Sequence, residues 1–195
     1  MKAVKLEKNC EFAEYFNNKL YSDCVVISSC DKKFRTHKII LSKNEFFRKK
    51  LASDNLKVSA LNLPETADIL EDLLYYLYTG SIKGSCNNIK DLLLAAKKYS
   101  FTDLEATMAR NLMNSLCANN AVQYLLFAHK QELKDSVNEI TDFIANDLKG
   151  VMQTADWKLL DPEEHARLKD KIIETYIRFN EANIVESSMC EQLML

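Results

Sequence analysis

Glycine and proline are almost missing from this chain, with three glycines and two prolines in 195 residues. Long structureless loops draw heavily on both, so their scarcity predicts helices and strands joined by short connections. A surplus of charge is missing as well. Lysines and arginines number 26 against 28 aspartates and glutamates, a net charge of -2. With a pI near 6.0, that excludes the electrostatic footprint of a nucleic-acid or anionic-membrane binder. No apolar run approaches the roughly 18 residues of a membrane span. Residues 1–8 hold three lysines and a glutamate where a secretory leader would be apolar. Cys10, Cys24, Cys30, Cys86, Cys117 and Cys190 show no zinc-ligand spacing, which predicts reduced thiols and no metal. The expectation is a soluble intracellular chain, cytoplasmic or nuclear, with no cofactor, no nucleic acid and no membrane among its partners. Its 47% hydrophobic content is enough for a core of one or two domains.

What is present is organised around Tyr21–Phe47. Cys24-Val25-Val26-Ile27 is a short unbroken apolar run, predicting a strand buried on both faces. Ser28–Lys33 is a polar break, and Phe34-Arg35-Thr36-His37 then alternates as a half-buried strand does. Ile39, Ile40, Leu41, Phe46 and Phe47 change to helical spacing. Before this unit, Asn9–Leu20 places Phe12, Tyr15 and Phe16 on one face of a predicted helix. Those aromatics need cover, from their own domain or from a second copy of the chain.

Beyond it, Val58, Leu61 and Leu63 suggest a third strand ended by Pro64. Thr66 is a candidate N-cap, Ile69–Leu77 a broad apolar stripe, and Gly80 the helix stop. Ile82 is a candidate short strand. Helices are predicted over Ile89–Tyr99, Phe101–Leu116, Ala121–Ala128, Leu133–Leu148 and Arg167–Phe179, with a polar hinge at Cys117–Asn120. Asp161-Pro162 offers an early start to the last of them. Residues 186–195 have weak periodicity, as a frayed tail would.

The residues Ser22-Asp23-Cys24-Val25, Phe34-x-x-His37-Lys38-x-x-Leu41-Ser42, Phe46-Phe47, Leu77-Tyr78-Thr79-Gly80 and Leu94-Ala95-Ala96-x-x-Tyr99 together resemble the BTB/POZ domain. The second half, at Asn120-Ala121-Val122, Leu125–Ala128, Phe143-Ile144 and Val151-Met152-x-Thr154-x-x-Trp157-Lys158, is similar to the BACK-type extension of cullin-linked adaptors, the speckle-type POZ proteins in particular, without their MATH domain. The resemblance implies an α+β, mostly helical fold. A BTB/POZ domain over 9–117, a small sheet flanked by helices, would precede an all-α BACK-like domain over 118–185. It also implies a homodimer built on Phe12, Tyr15, Phe16, Ile39 and Ile40, and a structural charged pair of Asp23 with Lys38. The implied cullin-3 contact falls on Leu51, Ser53, Asp54, Asn55 and Leu56 with Tyr99, although the family's hydrophobic-x-Glu motif is missing from that loop.

No catalytic residue is expected. His37 beside Lys38 is read as structural. Cys24 lies in an apolar run, where a nucleophile would want exposure and an activating base. Cys24, Cys30 and His37 lack a fourth ligand for zinc. Trp157 fits a helix-bundle core position better than a recognition anchor, and Arg48-Lys49-Lys50 fits a solvated helix end. The expected function is an interaction adaptor that homodimerises and links to a cullin-3 ubiquitin ligase. The alternatives are a subunit that dimerises with related BTB proteins without cullin, or a transcriptional co-regulator.

Overall fold

The computed structural model describes residues 12–53, 59–85, 87–161 and 163–193. The chain divides into two compact units, Met1–Leu112 and Met113–Leu195.

Within the described residues the first unit begins with a 3₁₀ turn, Ala13–Tyr15, where the sequence predicts a helix over Asn9–Leu20, whose residues 9–11 lie outside the described ones. Asparagine chemistry accounts for the difference. Asn17 adopts a left-handed conformation (φ 52°), and the Asn18 side chain both donates to the Glu14 carbonyl (3.0 Å) and accepts from the Leu20 N–H (3.0 Å). Short amides that bond nearby backbone in this way compete with helical hydrogen bonds.

Strand β1 (Cys24–Ile27) and strand β2 (Lys33–Thr36) form an antiparallel hairpin with Val26 opposite Phe34. Cys24 and Val26 are buried while Val25 and Ile27 are half-buried. The apolar run is therefore covered fully on one face only, not on both. Helices α1 (Lys38–Leu41) and α2 (Glu45–Ser53) follow, and β3 (Ala60–Asn62) returns parallel to β1, giving the order β2-β1-β3. Helix α3 (Ala67–Thr79) begins after Thr66 and stops at Gly80, whose φ of 70° lets its N–H bond the Tyr76 carbonyl. A left-handed stop of this kind suits glycine, which has no Cβ to clash. No strand forms at Ile82.

Helices α4 (Ile89–Lys98) and α5 (Thr102–Asn114) complete this part of the chain. The Asn88 side chain caps α4 by accepting from the Lys90 N–H. Leu70, Leu73, Leu74, Leu92, Leu93 and Leu104 are each at most 2% exposed, so the helical stripes read from the sequence do face a core.

In the second unit, α6 (Ala118–Lys130), α7 (Lys134–Asn146), α8 (Leu148–Met152) and α9 (Ala166–Leu193) surround Val122, Leu125, Ile140, Ile144, Leu160 and Ile172. Trp157 sits in a 3₁₀ turn (Ala155–Leu160) and packs against this core, as its sequence context suggests. Asp147 ends α7 and accepts from the Gly150 N–H, opening a separate short α8, beyond the predicted helix end at Leu148.

Candidate interaction site

The hairpin fixes where α1 starts, and α1 fixes the surface around it. The Asp23 carboxylate accepts a hydrogen bond from the Lys38 backbone N–H at 2.8 Å. The two residues do meet, but as an acid at a helix start and not as a buried charged pair, because Asp23 is exposed.

Beneath α1, His37 is 7% exposed and spans three elements. Its backbone N–H donates to the Tyr78 hydroxyl at 3.0 Å, its Nδ1 lies 2.8 Å from that hydroxyl, and its Nε2 lies 2.8 Å from the Leu20 carbonyl. A carbonyl only accepts, so Nε2 carries the proton and the Tyr78 hydroxyl donates to Nδ1. Burial, first of all, pushes the Tyr78 phenol up to about 12. His37 is thus a buried strut holding the segment before β1, consistent with the structural role read for it.

The five dimer residues taken from the resemblance do not share one fate. Ile39 is 77% exposed and Ile40 4%. Adjacent positions on a helix point in different directions, and here Ile40 belongs to the chain's own core. Phe12 is 37% exposed, with the Lys43 ammonium 4.4 Å from its ring centroid. Tyr15 packs edge-on against His37 (6.0 Å), and Phe16 against Tyr75 (5.2 Å) and Tyr78 (5.7 Å). Tyr15 and Phe16 are therefore half-covered by their own chain. Two residues outside the resemblance are exposed as Phe12 and Ile39 are. Tyr21 is 79% exposed, at a left-handed φ of 56°, and Leu20 is exposed beside it. A bulky side chain at positive φ is uncommon. Tyr21 stands at the head of the organising stretch, and only its aromatic character hinted at a surface role.

The residues expected at a cullin contact also separate. Leu51 is 1% exposed and faces the core. Ser53 closes α2, while Asp54, Asn55 and Leu56 lie outside the described residues. Tyr99 is 1% exposed. Its ring packs on Phe46 (4.8 Å) and parallel to Phe47 (6.4 Å), and its hydroxyl donates to the Glu65 carboxylate. Neither Leu51 nor Tyr99 offers a partner much surface.

Cys24 is 2% exposed, and burial pushes its thiol up, which works against a nucleophilic thiolate.

Glu71 on α3 receives the ammonium groups of Lys83 and, at 2.9 Å, of Lys32, tying the hairpin to the residues after α3. The Lys83 hydrogen bond, aided by Lys32 and opposed by burial, holds its carboxyl below the usual range. A carboxyl lowered on folding contributes stability that is present above its unfolded value of about 4.3 and is lost as pH falls through the folded value. Thermal melts of wild type and Lys83→Met across pH 6 down to about 3 are expected to diverge at the upper end and converge at the acid end. Parallel curves would remove Glu71 from the acid response.

The sequence has counterparts among known proteins. The BTB/POZ domain profile matches residues 12–116. TD and POZ domain-containing protein 1 of Mus musculus is 26% identical over 166 residues, covering 80% of this chain and 44% of that protein. TD and POZ domain-containing protein 3 of the same organism is 25% identical over 187 residues, covering 91% and 51%. A BTB/POZ domain-containing protein of Arabidopsis thaliana is 35% identical over 98 residues, covering 48% and 47%. The chain spans about half the length of the curated relatives it matches. The solved BTB domain of human gigaxonin aligns with a TM-score of 0.42 at 21% identity, over 47% of this chain and 78% of that one. The domain profile gives the broad family, and the two mouse relatives are TD and POZ proteins, not speckle-type POZ proteins specifically. With the domain profile covering more than half its length, the chain belongs to the BTB/POZ domain family.

Proposed function

We propose that this protein is a non-enzymatic interaction adaptor that homodimerises through the surface around α1. The observation that carries the reading is the exposure of Ile39 (77%) and Tyr21 (79%), together with that of Phe12 and Leu20, in a family whose domain is a protein-interaction module. Apolar groups gathered at a surface mark an interaction site more often than singly scattered ones do. A patch that serves both copies alike closes with a two-fold axis.

The second half, 118–185, fits a BACK-like extension. The region around α2 is the candidate dock for a cullin-3 scaffold. The second reading is a subunit that pairs with related BTB proteins and leaves cullin-3 alone. The burial of Leu51 and Tyr99, with no hydrophobic-x-Glu motif in residues 51–56, favours it.

Sedimentation at low micromolar concentration is expected to give a dimer for the wild type and a monomer for Ile39→Asp, since one buried carboxylate on each side of a two-fold contact is strongly unfavourable. A dimer that survives the substitution overturns the reading. A pull-down with the cullin-3 N-terminal domain then separates the two roles. Binding by the intact dimer supports the ligase adaptor, and its absence the partner subunit.

A further inference from the structure

A groove of about 570 Å³ runs between α7 and α9 in the second unit, lined by polar and charged side chains. The adaptor reading makes no use of it. Helix α9 turns Leu168 and Ile172 to the core, and Ile173, Tyr176 and Ile177 to solvent. On the flank of the core row that meets α7 stand Lys171, Glu174, Thr175 and Arg178. Spacings of three and four residues stack them on one face.

Thr175 is the side chain that the packing leaves unexplained. It is 6% exposed, yet among the described residues its hydroxyl makes no hydrogen bond. Thr141, across the groove on α7, shows the usual alternative, donating back to the Val137 carbonyl at 2.7 Å. A nearly buried hydroxyl without a partner is costly unless something in the groove takes it up.

The charges beside Thr175 restrict what that is. Lys171 lies one turn before it and Arg178 one turn after. Both cations are lightly held. Lys171 donates to the neutral Asn138 amide at 2.7 Å, and Arg178 stands 4.0 Å from Asp142, with both of those side chains more than half exposed. Asp142 and Glu174 balance them, so the groove carries two charges of each sign. A plain anion there meets the two carboxylates, and a plain cation meets the two basic groups. A zwitterion satisfies both sets. The volume is in the range of sites that hold drug-sized molecules, which leaves room for several residues of a peptide. We infer that the α7–α9 groove binds a short peptide in its zwitterionic form. Its carboxylate takes the Thr175 hydroxyl between Lys171 and Arg178, and its ammonium faces Glu174 and Asp142. The site belongs to the second unit and holds whether or not the chain dimerises through α1.

The test titrates the isotope-labelled full chain with triglycine, followed by NMR. N-acetyl-triglycine and triglycinamide serve as the matching anion and cation. Triglycine is expected to shift the amides of Asn138 and Thr175, and to bind at least about tenfold tighter than either blocked form. Glu174→Gln weakens triglycine and leaves N-acetyl-triglycine unchanged, since the acetyl form has no ammonium to place. Lys171→Met weakens both of these and not triglycinamide. Thr175→Val keeps the shape and removes the hydroxyl, for a loss of about fivefold. Circular dichroism checks that each variant keeps its helices. Equal binding of the three peptides overturns the inference, as do shifts that fall outside the groove. So does the absence of any shift at triglycine concentrations up to about 10 mM.

Discussion

Replacing Asp72 by alanine is expected to remove about 3 kcal/mol of stability, although the residue lies on the hydrophilic side of no obvious site. Asp72 is fully buried on α3, and its Oδ1 accepts from the backbone N–H groups of Lys83 (2.9 Å), Gly84 (2.8 Å) and Ser85 (3.2 Å). Bonds to a carboxylate are among the stronger ones, worth roughly 1.5–3 kcal/mol each in favourable cases. Part of the loss is recovered here, because Lys83 and Gly84 are exposed and water can reach them. Asp72→Asn keeps an acceptor oxygen in place and should cost about 1 kcal/mol, the neutral equivalent. Urea unfolding of the three proteins gives the comparison. Equal stability of wild type and the alanine variant would show that the turn at 83–85 holds itself.

Tyr99→Ala is expected to cost about 3–5 kcal/mol, the range for deleting a large aromatic from a packed core. The ring is enclosed by Phe46 and Phe47 and the hydroxyl is fixed by Glu65, whose other oxygen takes the Lys98 ammonium at 2.6 Å. Burial, then Glu65, pushes the phenol far above its ordinary range. Tyr99→Phe keeps the packing and loses only the hydroxyl contact, a cost nearer 1–2 kcal/mol on the same scale. The pair matters for partner assays. If Tyr99 is a contact residue, the phenylalanine variant binds less while remaining folded. If it is a core residue, binding falls only with the alanine variant and in step with its unfolded fraction. A folded Tyr99→Ala protein with wild-type stability would reverse this assignment.

The sequence was most readable where local pattern and tertiary burial agree. Ile69, Leu70, Leu73 and Leu74 announce α3, and Gly80 stops it for the reason glycine usually does. The hairpin and the switch to helix after His37 were legible on the same grounds. Residues 13–20 depart from the predicted helix because aromatic spacing is outweighed by a left-handed Asn17 and by Asn18, which bonds nearby backbone. The surface was harder. Ile39 and Ile40 are the same residue type in adjacent positions, and only the tertiary path of α1 decides which is seen by solvent. A motif match placed Tyr99 at a partner surface, where the structure gives it two aromatic neighbours and a carboxylate. On α9 the buried and exposed apolar rows overlap in sequence, so Arg167–Phe179 read simply as helical.

The parallel pairing of β1 with β3 has a consequence for the order in which this unit assembles. The β1–β2 hairpin closes across a short turn, whereas Val25 meets Ala60 only after β2, α1 and α2 have been laid down between them. Contacts distant in sequence carry a larger loop-closure cost and form late. β3 also holds the Pro64–Glu65 segment, whose Glu65 carbonyl accepts from the Ser29 N–H at the hairpin tip. In hydrogen-exchange measurements, the Val25 N–H on Ser59 and the Leu63 N–H on Ile27 are thus expected to open before the amides of the hairpin. Slower exchange there than in β2 would reverse the order. On the expected order, the strand that closes the sheet is the seam at which it first comes undone.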